Sequence, residues 1–295
     1  MIETITYRYG LGHFKPTVTL LHQTGIGVSE IAGRTCYDSF ANSENECIQN
    51  AMSELDLDAI QNIESSELLD SLAWVHHHHS ILEHTTLSFL VRGTGRGVLQ
   101  EHARHRIQAI SVRSTRYTMS SVINAFVASL EHRRPKEFFI NLVKTFDMFV
   151  IEDEDYLNIE IGAMYDKLWY QYKILSKEDG FLAKYYIAKS SLILLNRGSL
   201  DTRALFDSLQ NGKKKRNIGD AFKHIVTDNW KVDMVVTFNL RSLKNYFDLR
   251  DSGSAYFQIQ WLAQAMKAVT PVKYLKLIDK ATKIEEDEKS KKEIK

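Results

Sequence analysis

Between Arg104 and Tyr117 the chain places four arginines, Arg104, Arg106, Arg113 and Arg116, together with His105 and the hydroxyls of Ser111, Ser114 and Thr115. Such a segment cannot enter an apolar core, because guanidinium groups this close repel one another unless an anion sits among them. It belongs either on a solvated basic face or around an anionic ligand. Arginine suits the second role, since its fork grips phosphate and carboxylate at two points. The net charge of +1 supplies no global field toward nucleic acid or a membrane, so any anion binding has to be local. A nucleic-acid-binding module using the 104–116 arginines is the competing reading, and it lacks an RNA-binding motif to support it.

The chain has 295 residues, 44% of them hydrophobic, which is ample for a core. One catalytic domain is expected over 1–280, with a charged, frayed tail over 281–295. Two cysteines, Cys36 and Cys47, make no disulfide framework and suit a reducing cytoplasm. Met1-Ile2-Glu3-Thr4 does not read as a signal peptide, and no run of about 18 apolar residues offers a membrane span.

Periodicity predicts the elements. Residues 1–20 read as an early strand and turns, Ile31–Tyr37 as a short helix, and 47–74 as helical, with Ile48, Met52 and Leu55 in register. An internal run, His76–His79, reads as a helix C-terminus, where imidazolium suits the dipole. A metal-dependent hydrolase would need more ligands than the His79 and Glu83 pair offers, so no metal is expected. Leu87, Phe89 and Val91 mark a largely covered strand. In Gly93-Thr94-Gly95-Arg96-Gly97 the spacing is wrong for a dinucleotide fingerprint, and Thr94 reads as the N-cap of a helix ending at Arg104–Arg106. Strand character runs to about Val112, followed by a hydroxyl-rich loop. Residues 136–178 read as helix, interrupted by the acidic Glu152–Asp155, a solvated face or helix start. A helical insertion is expected within 179–212, and Lys213–Arg216 as a solvated turn. Lys231–Phe238 alternates as a strand, Asn239 can cap the next helix, and Leu240, Leu243 and Phe247 form its stripe. On that helix Arg241 and Asn245 share a face, whereas Arg250, nine residues beyond Arg241, falls on nearly the opposite side. One helix could thus serve two ligands. A further helix is expected over 254–270, ending before Pro271.

Arg104-His105-Arg106, seven residues and then Ser114, with Arg116-Tyr117 trailing, resembles the R-H-R-x7-S signature of the flavin-dependent thymidylate synthases. A second block, Asn239, Arg241, Ser242, Leu243, Asn245 and Arg250, resembles that family's N-x-R-(S/A)-L-x-N-x4-R pattern, and His78, Ser80, Glu83 and His84 fit a third. The resemblance spans roughly 76–121 and 221–270. It implies an α+β fold, an antiparallel or mixed sheet flanked by long helices. It also implies reductive methylation of dUMP to dTMP, with methylenetetrahydrofolate giving the carbon and FAD, reduced by NADPH, giving the hydride. Homotetramers with shared active sites go with this family. It assigns His78, Ser80, Arg104, His105, Arg106, Asn239, Arg241 and Asn245 to the flavin. To dUMP it assigns Glu101, Arg104, Val112, Arg113, Ser114, Thr115, Arg116, Lys223 and Arg250. Arg250 and Ser114 are the catalytic candidates, Arg250 acting by its charge and Ser114 orienting the uracil, since no base is visible beside it.

The sequence departs from the pattern in places. Ala109 stands where a hydroxyl is common, Val112 where an acid is, Ser254 where a histidine is, and Lys223 where an arginine is. Val226-Thr227 replaces a usual Leu-Pro. A lysine still pairs with phosphate, but as a point charge rather than a fork.

Overall fold

The computed structural model describes residues 5–9, 16–175 and 223–293. The expected insertion within 179–212 and the Lys213–Arg216 run lie outside them. Where the sequence suggested one domain over 1–280, the chain groups into two compact units. The first comprises Met1–Thr94, Val98–Val112 and Asp233–Lys295, and the second Gly95–Gly97 and Arg113–Val232.

The first unit is built on a five-stranded sheet of β1 (Thr6–Arg8), β2 (Thr17–Gln23), β3 (Thr86–Gly95), β4 (Ala109–Val112) and β5 (Lys231–Asn239), in the order β1-β2-β3-β5-β4. The pairs β1–β2, β2–β3 and β4–β5 are antiparallel. Ser88 meets Thr237 at 2.8 Å and the Gly93 N–H donates to Asp233 at 2.8 Å, so β3 and β5 also run oppositely. Alternation is the reason these segments are strands: Val18 and Leu20, Leu87, Phe89 and Val91, and Met234, Val236 and Phe238 are buried along one face. The Phe257–Ala268 helix packs on β1 and β2 through that face, and Leu240–Arg250 packs beside it.

Several boundaries differ from the sequence reading, each for a local reason. Residues 47–74 are not one periodic stretch but the helices Glu46–Gln49, Leu57–Gln61 and Glu67–Trp74, because Asp56 and Ser66 cap Ala59 N–H and Leu69 N–H and restart the chain. Thr94 is no N-cap. It lies in β3, which continues past Gly93, where φ is +75° and glycine is needed. The early helix spans Gly27–Tyr37, and the next-to-last pair Phe257–Ala268 and Val272–Ile278 flank Pro271. Lys280–Glu293 is helix rather than frayed tail. Asp279 caps Thr282 N–H, Lys283 pairs with Asp70 and Asp287, and Lys289 with Glu286.

The described residues of the second unit are mainly helical. Thr115–Ser129 replaces the expected loop, with Met119, Val122, Ile123 and Phe126 as a buried stripe at helical spacing. The helices Pro135–Lys144 and Glu154–Leu175 follow, the latter started by Asp153 accepting from Tyr156 N–H at 2.9 Å, so the acidic run is a helix start. Phe126, Phe139 and Tyr165 pack ring against ring at its centre.

Candidate functional site

The helix Arg96–His102 ends in a turn that presents Arg104, His105 and Arg106. His105 N–H donates to His102 O at 3.1 Å, which closes the turn. Gln108 then clamps it, its Nε2 donating to His102 O at 3.0 Å and His105 O at 2.7 Å. The second element is Leu240–Arg250. The Asn239 side chain accepts from Ser242 N–H at 2.8 Å, so the expected cap is formed.

These elements enclose an open cavity of about 740 Å³ lined by Arg104–Ile107 and by Arg241, Ser242, Asn245, Leu249 and Arg250. It brings together Arg104, His105, Arg106, Arg241, Asn245 and Arg250. The expectation that Arg250 would serve a separate side of its helix is corrected here. Arg250 occupies the last helical position, and its long side chain reaches the arginine turn, so it lines the same cavity as Arg241 and Asn245.

Arg250 is the most constrained cation of the site. Its Nε donates to His105 Nε2 at 2.8 Å, its Nη1 to the Glu101 carboxylate at 2.9 Å and its Nη2 to Glu101 O at 3.1 Å. Only 15% of its side chain is exposed, against 72% for Arg104. Because His105 Nε2 accepts, its ring proton is on Nδ1. Burial, and then the adjacent Arg250 charge, push the His105 pKa down to about 4, so the ring is neutral among the arginines at pH 7. Arg241 is half exposed and pairs with Glu83 at 2.5 Å, at the end of the His79–His84 turn.

The other sequence candidates fall elsewhere. His78 and Ser80 are exposed, and His78 Nδ1 meets the Tyr37 hydroxyl at 2.9 Å. Neither is among the residues lining the cavity, nor is Asn239, whose side-chain oxygen is used in capping. Val112 ends β4 opposite Met234 and is exposed. Arg113, Ser114, Thr115 and Arg116 lie in the second unit, where Thr115 is buried and opens the helix Thr115–Ser129. Lys223 opens the short turn Lys223–Ile225 and is exposed. Among the described residues no cluster of His, Cys, Asp and Glu is placed to hold a metal, and His79 meets Ala73 O through Nε2.

Sequence reasoning missed three residues beneath the cavity. His102 is fully buried, its pKa pushed down to about 4 chiefly by burial. Its Nδ1 lies 3.1 Å from the hydroxyl of Tyr246, also fully buried, whose phenol burial holds well above its usual range. Gln108 is the third. Spacing gives no hint of Gln108, and Tyr246 differs from the apolar stripe around it only by a hydroxyl.

A five-stranded antiparallel sheet carrying helices, with a cavity lined by arginines where the Arg104–Arg106 turn meets the Leu240–Arg250 helix, defines an α+β protein. The chain belongs to the family described as thymidylate synthase complementing protein, whose sequence profile matches residues 19–272. It is 26% identical over 258 residues to the flavin-dependent thymidylate synthase of Wolinella succinogenes, covering 86% of this chain and 93% of that one. It is 27% identical over 256 residues to the enzyme of that name from Campylobacter jejuni, covering 86% and 91%. In fold it is similar to thymidylate synthase X from Helicobacter pylori, solved with FAD and dUMP, with a TM-score of 0.55 and 24% identity over 90% of this chain and 98% of that one. No helix of the described residues is long and apolar enough to cross a membrane.

Proposed function

We propose that this chain is a flavin-dependent thymidylate synthase that converts dUMP to dTMP, with methylenetetrahydrofolate as carbon donor and NADPH as the source of reducing equivalents. The observation that carries the reading is the cavity that gathers the Arg104–Arg106 turn with Arg241, Asn245 and Arg250. Family membership and the names of the relatives support it. The donor set fits FAD, since arginines on two elements suit a diphosphate and a ring that becomes anionic on reduction. FAD, when bound, supplies the hydride. The balance is dUMP, methylenetetrahydrofolate, NADPH and a proton giving dTMP, tetrahydrofolate and NADP⁺.

The residues of the chain have separable tasks in this reading. Arg104, Arg106 and Arg241 hold the cofactor, and Asn245 contributes an uncharged amide to the same cavity wall. Arg250 stabilises negative charge that builds on the uracil ring when C5 becomes nucleophilic. Its guanidinium is too basic to pass a proton, so its contribution is electrostatic. Glu101 and the neutral His105 aim it, the first through its carboxylate and carbonyl and the second through Nε2. A neutral His105 also avoids adding a charge to a crowded turn. The family motif assigns Val112, Arg113, Ser114, Thr115, Arg116 and Lys223 to the nucleotide, and His78, Ser80 and Asn239 to the flavin. We extend the reading to a cytoplasmic homotetramer with shared active sites. The absorbance spectrum of purified protein tests the cofactor: a flavin band, present or gained on adding FAD, is expected, and protein that stays colourless would overturn the reading.

A further inference from the structure

Two buried side chains, His102 and Tyr246, and the half-buried Gln108, none of them used by the chemistry above, tie the arginine turn to the helix carrying Arg250. Tyr246 lies four residues before Arg250, so both project toward the same face of Leu240–Arg250. The Tyr246 ring packs edge-on against His102 at 5.1 Å and against His105 at 4.7 Å between centroids. The Tyr246 hydroxyl lies 3.1 Å from His102 Nδ1, so the phenol and the imidazole share a hydrogen bond. The other ring nitrogen of His102 is Nε2.

That Nε2 is buried and has no hydrogen-bond partner, and the same is true of Gln108 Oε1. The other end of the Gln108 amide grips the His102 and His105 carbonyls. His102 is thus held twice, its ring by the Tyr246 hydroxyl and its carbonyl by the Gln108 amide, which also holds the His105 carbonyl. Apolar side chains would fill this space without the desolvation cost of orphaned polar atoms. What polar groups add is a single geometry, because each has few ways to be satisfied.

We propose that Tyr246, His102 and Gln108 form a positioning brace that fixes the Arg104–Arg106 turn and, through His105, aims Arg250 into the cavity. The brace stands on geometry alone, whereas what the turn then holds rests on the flavin reading above.

The test uses the full chain as His102→Phe, His102→Phe/Tyr246→Phe and Gln108→Leu. His102→Phe strands the Tyr246 hydroxyl, so it should lower Tm. Adding Tyr246→Phe removes that orphan and should return Tm toward wild type. Amide hydrogen exchange at Arg104 and His105, without ligand, and the Kd for FAD are then compared. The brace predicts that the double variant, though restored in Tm, exchanges these amides about tenfold faster and binds FAD about tenfold more weakly. Gln108→Leu should repeat both effects. If the double variant recovers wild-type exchange and wild-type FAD affinity, the residues only fill space and the proposal is overturned. Wild type that takes up no FAD would defeat the functional reading, while the exchange rates still decide the brace.

Discussion

Acid should destabilise this protein through His102 by an amount that can be worked out. The ring sits fully buried between Tyr246, Phe238 and the arginine turn, and burial pushes its pKa from 6.5 down to about 4. The folded value lies below the unfolded one, so the contribution is fully present above pH 6.5 and is lost as pH falls toward 4. At about pH 4.5 the unfolded imidazole is almost wholly protonated and the folded one mostly neutral, a linkage cost of about 2–3 kcal/mol. The assay is urea unfolding at about pH 7.5 and about pH 4.5, for wild type and His102→Phe/Tyr246→Phe. Carboxylates and His105 titrate in both proteins, so the difference between them isolates His102. Wild type should lose about 2–3 kcal/mol more than the double variant on acidification. Equal losses would show that the buried ring is already protonated or reaches solvent, and would refute the reasoning.

Arg250→Ala should slow dTMP formation by about a hundredfold, the value of one lost oxyanion donor, and Arg250→Lys should fall between that and wild type because it keeps charge without the fork; steady-state rates at saturating dUMP decide both. Asn239→Ala should lower stability by about 1 kcal/mol through the lost cap, and Asn239→Ser should restore most of it; recovery of FAD affinity only with asparagine would separate a cofactor contact from capping. Gly25→Ala places a Cβ 2.4 Å from Gln61 O, where backbone has to move. It should cost about 1–3 kcal/mol, read from the urea midpoint, and an unchanged midpoint would contradict the packing.

The parts of the fold that were legible in the sequence are those where one face is buried. Leu87, Phe89 and Val91 announce β3, and Val232, Met234, Val236 and Phe238 announce β5, because a sheet face covered by helices demands alternation. Asn239 announces the start of the next helix because the cap is a local interaction. What failed was read from residue type alone. The hydroxyls after Val112 suggested a loop, yet Ser129 folds its hydroxyl onto Phe126 O and Thr118 onto Thr115 O, so they do not oppose the helix dictated by Met119, Val122, Ile123 and Phe126. The charges after Asp279 suggested fraying, yet they pair along the helix and with Asp70. At the site, the arginine turn and the Arg241, Asn245 and Arg250 set were visible as motifs. The helical wheel misplaced Arg250, because it locates a Cα and not the end of a long side chain. The contact of Arg250 with His105 spans 145 positions and that of His102 with Tyr246 spans 144, separations that local periodicity does not encode.

The central claim is that the Arg104–Arg106 turn and Arg250 serve a flavin-dependent methylation of uracil C5. Methylation there expels the C5 hydrogen, so tritium release from dUMP labelled at C5 follows the reaction directly. The account predicts release that requires FAD, NADPH and methylenetetrahydrofolate together and matches dTMP formed. Stoichiometric release and dTMP formation that persist after FAD and NADPH are removed would contradict it.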